Sequence, residues 1–280
     1  LSLEFHPFHC IMIVKRSVKE LDHTIWRKRL NNRNDMAARI THLTRGNDAD
    51  DAFENLWKIL VDKKLNGSGN SGFINGERKA VCLQELPLSA IAENLRYEEI
   101  LSDKIRYSPF GVRFHKMFIY NKGGRPVIYE NKEIMKKLLP ENEYWRIVDL
   151  DLTDPESFVD WTHEREWRWA LPDARYGVPG LPFLLAETYA NFFSEIIIIV
   201  CTNEEQEDLL LHLKNLYDAG CRNTGPEYNI KMISSAKVLS LETIARSNDI
   251  DPHTMKIEDL PMKQMRMIPE FDVSSELTDK

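Results

Sequence analysis

The chain has few of the devices that brace a protein outside its own core. Its 280 residues include four cysteines, Cys10, Cys82, Cys201 and Cys221, with no C-x-x-C pair and no compact disulfide framework. That pattern reads as a reduced, cytoplasmic protein whose thiols behave as small apolar side chains. No apolar run is long enough to span a bilayer, so no membrane partner is expected. The short apolar stretch near the start, HCIMIV, is followed by its lysine and arginine, the wrong order for a secretory signal. Positive charge is also scarce. Lys and Arg total 37 against 44 Asp and Glu, a net charge of −7, so no global basic field advertises nucleic acid.

Several familiar nucleotide and metal motifs are missing. NKGGRP is Gly-rich but has neither the Walker spacing nor a G-x-G-x-x-G register, and a hairpin turn explains it. There is no G-x-S-x-G elbow. HEREW carries Trp167 where a zinc protease needs its second histidine, and the HPFH of His6 and His9 has no second ligand pair. Asp149 and Asp151 alternate on a strand without completing a nuclease set. No metal is expected.

What remains is a chain that folds: 42% hydrophobic, 10% aromatic and 29% charged residues can build a substantial core. Residues 1–40 form a basic segment, WRKRLNNRNDMAAR within it, read as helical after Ser17. It is either a solvated helical face or a contact strip for an acidic partner such as a nucleic-acid backbone. Residues 41–240 form the main domain. Ile40–Thr44 alternates as a strand, and Asp50 and Asp51 supply cap chemistry for a helix bearing Phe53, Leu56, Trp57 and Leu60. KAVCLQELPLSAIAENL reads as strand, turn and helix. Two strands flank a Lys-Gly-Gly turn, with Val112, Phe114 and Lys116 on one face and Arg113 and His115 on the other. SEIIIIV is a buried strand before an amphipathic helix capped by Asn203, and Pro226–Leu239 reads as a further strand. Residues 241–280 are an acidic, Met-rich tail packing on the domain or trailing from it. The fold class is α+β.

The densest stretch is Asp160–Ala170, DWTHEREWRWA. As a strand it puts Arg165, Trp167 and Trp169 on one face and Glu164, Glu166 and Arg168 on the other. The tryptophans face a core. The charged face is either solvated or the floor of a cleft.

The order His42-x-Thr44, then a tyrosine, then a late strand with glutamate resembles the ADP-ribosyltransferase fold, in particular its DarT-like branch that modifies nucleic acid. Glu164-x-Glu166 resembles the Glu-x-Glu motif of other such enzymes. VCLQELPLSAI, SPFGVRF, KGGRPVIY and DWTHEREWR resemble the AbiGi-type abortive phage infection family over Thr41–Leu239. The resemblance implies a split β-sheet with flanking helices that holds NAD as a substrate. It implies Glu166 as the catalytic carboxylate and Glu164 as the group that orients or activates the acceptor. His42 would hold the ribose and Thr44 would accompany the nicotinamide; Arg45 or Arg113 would meet the pyrophosphate, and Tyr107 or Tyr129 would stack on the nicotinamide. The implied role is a phage-defence toxin acting on RNA, single-stranded DNA or protein, with a cognate antitoxin or regulatory partner. The alternative is a non-catalytic antitoxin or interaction module of an abortive-infection system.

Overall fold

Alternating apolar residues in five-residue runs build the longer strands, and the helices fill the intervals between them. The computed structural model describes residues 23–33, 35–69, 73–101, 106–170, 180–184, 195–218, 230–246 and 263–264. Helix α1 (His23–Asn32) precedes β1 (Arg39–Leu43) and α2 (Ala49–Asp62). Then come β2 (Lys64–Leu65), β3 (Ala80–Gln84), α3 (Leu88–Leu101), β4 (Gly111–His115) and α4 (Lys116–Asn121). Short strands β5 (Arg125–Pro126) and β6 (Ile128–Tyr129) lead to α5 (Lys132–Leu138), a 3-10 helix at Glu141–Arg146 and β7 (Ile147–Val148). A 3-10 turn at Thr162–Glu164 feeds β8 (Glu166–Ala170). The remaining elements are β9 (Leu181–Pro182), β10 (Ile196–Val200), α6 (Asn203–Asp218), α7 (Ile230–Ser235), β11 (Lys237–Ser240), α8 (Leu241–Arg246) and β12 (Lys263–Gln264).

Eight strands form one sheet in the order β12-β11-β10-β4-β1-β3-β8-β5, antiparallel except for the β10–β11 pair. Its pairing is uneven. β1 matches β4 over five residues and β3 matches β8 over five, but β1 and β3 share a single pair, Thr41 opposite Gln84. The sheet is therefore two halves joined at one bridge.

One face buries Ile40, Val81, Leu83, Val112, Phe114, Trp167, Trp169 and Ile198 against Leu56 and Leu60 of α2 and Leu209 and Leu213 of α6. Each such aliphatic side chain contributes about 1.5–3 kcal/mol of burial. The opposite face is split in character. Under α3 and α8 it is apolar, with Ile197, Ile199 and Leu239 against Ile91, Leu95, Leu241 and Ile244. Farther along, one row of the register reads Arg113, Thr41, Gln84, Glu166 across four neighbouring strands, all buried. The chain is mixed α+β, as its pattern implied, and no helix among the described residues is long and apolar enough to cross a membrane.

Local expectations fare unevenly. Helix α2 is capped by Asp48, whose side chain accepts from the Asp51 amide, rather than by Asp50 or Asp51, which fall in its first turn. The amphipathic α6 is entered through a capping box: Thr202 Oγ1 accepts from the Glu205 amide and Glu205 Oε2 accepts from the Thr202 amide, so Asn203 is not its cap. The hairpin around Lys-Gly-Gly does not form. After His115 the chain turns into α4, burying Phe118 and Ile119, and the His115 ring accepts from the Met117 amide. Strand β4 pairs instead with β1 and β10, and β5 with β8. The expected strand at Pro226–Leu239 is helical over Ile230–Ser235 and extended only from Lys237, with residues 226–229 outside the described set. Of the tail, Leu241 and Ile244 are buried in the domain; residues 247–262 and 265–280 lie outside the described set, as do His6, His9, Cys10, Cys221 and residues 15–22 of the basic strip.

Candidate active site

The motif strand begins two residues later than alternation predicts. Arg165 adopts a left-handed backbone (φ 45°) at the end of the 3-10 turn, so it leaves the tryptophan face. Its guanidinium instead donates to the Asp35 carbonyl. Glu164 sits on the turn, and β8 starts at Glu166. The expectation that Arg165, Trp167 and Trp169 share a face, with Glu164 one pleat before Glu166, is corrected accordingly. Trp167 and Trp169 do enter the core, their indole N–H groups donating to Glu85 Oε2 at 2.7 Å and the Lys122 carbonyl at 2.9 Å.

The two glutamates are thereby placed in different environments. Glu166 is 5% exposed, and both its oxygens are held by Arg168: Nε donates to Oε1 at 2.7 Å and Nη2 to Oε2 at 3.0 Å. Arg168 also donates through Nη1 to the Trp145 and Ile147 carbonyls. Burial is the largest single influence and lowers its pKa, but Glu166 and Cys82 together hold it above the usual value. Cys82 lies opposite Arg168 on the neighbouring strand; burial first, then the Glu166 carboxylate, push its thiol pKa far up, so it is an inert thiol. The Glu164 N–H donates to the Trp161 carbonyl at 3.1 Å, but its carboxyl has no hydrogen-bond partner among the described residues. Burial, then the Glu166 charge, raise its pKa to about 7, against the opposing pull of Arg168, Arg45 and Arg106. A carboxyl with that pKa is half protonated near neutrality, the condition for proton transfer in either direction.

His42 stands where β1 and β3 part. Its Nδ1 lies 2.9 Å from the Cys82 carbonyl, which can only accept, so Nδ1 carries the proton and Nε2 is left as an acceptor. Burial, with the Arg45 charge adding to it, lowers the pKa and keeps the ring neutral. On the other side of β1, Gly111 lets β4 come close: a Cβ there would lie 2.2 Å from the His42 carbonyl oxygen.

Arg45 is exposed and within electrostatic reach of both His42 and Glu164. The Tyr129 hydroxyl accepts from the Glu166 amide at 2.6 Å, and burial raises its pKa to about 12. These residues, 42 to 166 in sequence, are linked through Arg45, which acts on both His42 and Glu164, and through Tyr129, which holds the Glu166 amide. Others named from the sequence do not join them as expected. Arg113 is buried, its Nη1 donating to Thr41 Oγ1 at 2.8 Å and its Nη2 to the Leu86 carbonyl at 3.1 Å, and burial lowers its pKa to about 9. Those bonds commit it to the sheet rather than to a pyrophosphate. Thr44 is 2% exposed, with its hydroxyl between the Ala52 and Phe110 carbonyls, so it ties β1 to α2 and not to a ligand. Tyr107 packs against the apolar cluster under α3 and α8.

Two contributors escaped the sequence reading. Cys82 looked like core filler, yet its carbonyl fixes the His42 tautomer. Gln84 is 6% exposed, lies between Thr41 and Glu166, and its Oε1 has no partner. Only knowledge of the strand register reveals either one. No cluster of three metal-ligating side chains occurs among the described residues. Asp149 instead accepts from the Lys132 amide and Asp151 from Thr153.

Comparison of the chain with models of known protein families, with curated proteins and with solved structures finds no match in any of the three.

Proposed function

We propose that this chain is a NAD-consuming ADP-ribosyltransferase of cytoplasmic phage defence, a toxin that modifies nucleic acid or protein under the control of an antitoxin partner. One observation carries the reading. A neutral histidine with an acceptor nitrogen stands where the sheet is joined by one residue pair, and a carboxyl raised to about 7 stands within electrostatic reach of the same Arg45. The resemblance to ADP-ribosyltransferases supplies the reaction.

In that reaction the bond from the ribose C1′ to the nicotinamide nitrogen breaks and its electron pair neutralises the pyridinium. The acceptor's lone pair then bonds C1′, and the acceptor's proton passes to Glu164. Positive charge develops on the ribosyl group as in glycoside hydrolysis, and the ionised Glu164 carboxylate stabilises it before taking the acceptor's proton. His42 Nε2 accepts from a ribose hydroxyl. Arg45, the exposed one of the two candidate arginines, meets the pyrophosphate with a fork of donors. Tyr129, rather than Tyr107, stands on the side of Glu166. Glu166 acts in this scheme from within its pair with Arg168, as the charge that keeps the Glu164 pKa high.

One observation favours the alternative, a non-catalytic antitoxin or interaction module: Arg168 engages both oxygens of Glu166. Incubation with labelled NAD and either cellular nucleic acid or lysate separates the two. Transfer of label by the wild-type protein, lost in Glu164→Gln and Glu166→Gln, is the expected result. Absence of NAD turnover by the wild-type protein, with a partner still bound, overturns the enzyme reading. Toxicity on expression that both substitutions abolish gives the same answer in cells.

A further inference from the structure

On its outer side, strand β8 runs out of main-chain partners where it begins. Its neighbour β5 supplies only Arg125 and Pro126, opposite Arg168 and Trp167. The same register puts Val127 opposite Glu166, and the Val127 amide does donate to the Glu166 carbonyl at 3.0 Å. A closed antiparallel pair would return the Glu166 amide to the Val127 carbonyl. Here the chain has already turned into β6, and the Glu166 amide donates to the Tyr129 hydroxyl at 2.6 Å. Strand β3 offers that amide no alternative, since its bond at this end runs from the Glu85 amide to the Arg165 carbonyl at 3.1 Å. A side chain thus makes the last rung of the ladder. Without it, the amide of a residue only 5% exposed would be left unpaired.

That rung directly follows a strained link. Arg165 holds φ 45°, a left-handed backbone that residues other than glycine adopt at a cost. It is the residue that separates Glu164 on the turn from Glu166 on the strand. Its own amide is tied to the Thr162 carbonyl at 3.2 Å, so the link is clamped by Thr162 before it and by Tyr129 after it. We infer that Tyr129 is a positioning residue for Glu164: its hydroxyl holds the Glu166 amide, which keeps Arg165 left-handed and the Glu164 carboxyl standing on its turn. The phenol acts through its oxygen and not through its ring. Burial raises its pKa to about 12, so it accepts the amide without adding a charge beside Glu166. The effect on turnover rests on the transferase reading; the effect on the Glu164 carboxyl does not.

The test follows the Glu164 carboxyl by NMR titration of glutamate-labelled protein without NAD, its signal assigned by its loss in Glu164→Gln. Tyr129→Phe keeps the ring and removes only the hydroxyl. In that variant the carboxyl should regain solvent and titrate about one pH unit or more below the wild-type value of about 7. Tyr144→Phe is the control: it loses a hydroxyl bond of the same kind, 2.8 Å to the Lys136 carbonyl of α5, and should leave Glu164 unmoved. Hydrogen exchange at the Glu166 amide should be slow in wild type, a measurement that stands even where Tyr129→Phe fails to fold. With NAD, kcat of Tyr129→Phe should fall about tenfold at unchanged KM, whereas a ring that only stacks would leave both as they were. An unshifted Glu164 titration in Tyr129→Phe, an equal shift in Tyr144→Phe, or a freely exchanging Glu166 amide in wild type overturns the assignment. A shifted titration in a protein that never turns over NAD keeps Tyr129 in its role and removes the transferase.

Discussion

Replacing Glu164 by glutamine should make the protein more stable at alkaline pH while removing its activity. The carboxyl titrates at about 7 in the folded chain against 4.5 ordinarily, because burial and the Glu166 charge disfavour its ionised form. Between those values the folded state holds a proton that the unfolded state has released, so stability falls as pH rises through that window. At about 1.4 kcal/mol per pH unit the full cost is about 3 kcal/mol, and screening of a partly exposed group reduces it to about 1.5 kcal/mol. Glutamine has no charge to bury. Glu164→Gln should therefore exceed wild type by about 1.5 kcal/mol above pH 8, roughly 3 °C in Tm, with the advantage vanishing below pH 4.5. Thermal scans of both proteins at pH 4.5, 6 and 8.5 measure it. A difference that stays flat with pH refutes the strained carboxyl, and with it the assignment of Glu164 as the proton acceptor. In wild type, NAD turnover should climb with pH through about 7 as the basic form appears.

Arg168→Met leaves the Glu166 carboxylate buried without its cation and should cost about 3–5 kcal/mol, read from urea denaturation. The double change Arg168→Met with Glu166→Gln should recover part of that loss. His42→Phe removes the acceptor nitrogen and the bond to Cys82; a rise in KM for NAD of at least tenfold is expected, and an unchanged KM would remove His42 from the site. Gly111→Ala drives a methyl into the His42 carbonyl, so it should destabilise the fold by about 1–3 kcal/mol and lower NAD turnover together.

Legibility in the sequence followed the reach of the interactions. Strands β1, β3 and β10 and helices α2 and α6 are specified by apolar spacing within a few residues, and they lie where that spacing puts them. The Lys-Gly-Gly segment misleads because its alternation is compatible with a strand, whereas burial of Phe118 and Ile119 selects a helix. Arg165 shows the same limit at one residue: nothing local announces a left-handed turn that a contact with Asp35, 130 positions away, helps to hold. The candidate site was half legible. His42, Arg45 and the two glutamates are side-chain types that carry chemistry, and Arg45 lies within electrostatic reach of both His42 and Glu164. The commitments of Thr44 and Arg113 to the scaffold, and the pairing that occupies Glu166, depend on which strands are neighbours, which no stretch of sequence records.

The lone Thr41–Gln84 pairing has a mechanical consequence. A ladder of five rungs resists bending along its length, whereas one rung leaves that line to side-chain ties: His42 to the Cys82 carbonyl, Arg113 to the Leu86 carbonyl and Lys116 to Glu85. Those three contacts, and not the ladders on either side, set how far β3 and β8 could turn against β1 and β4.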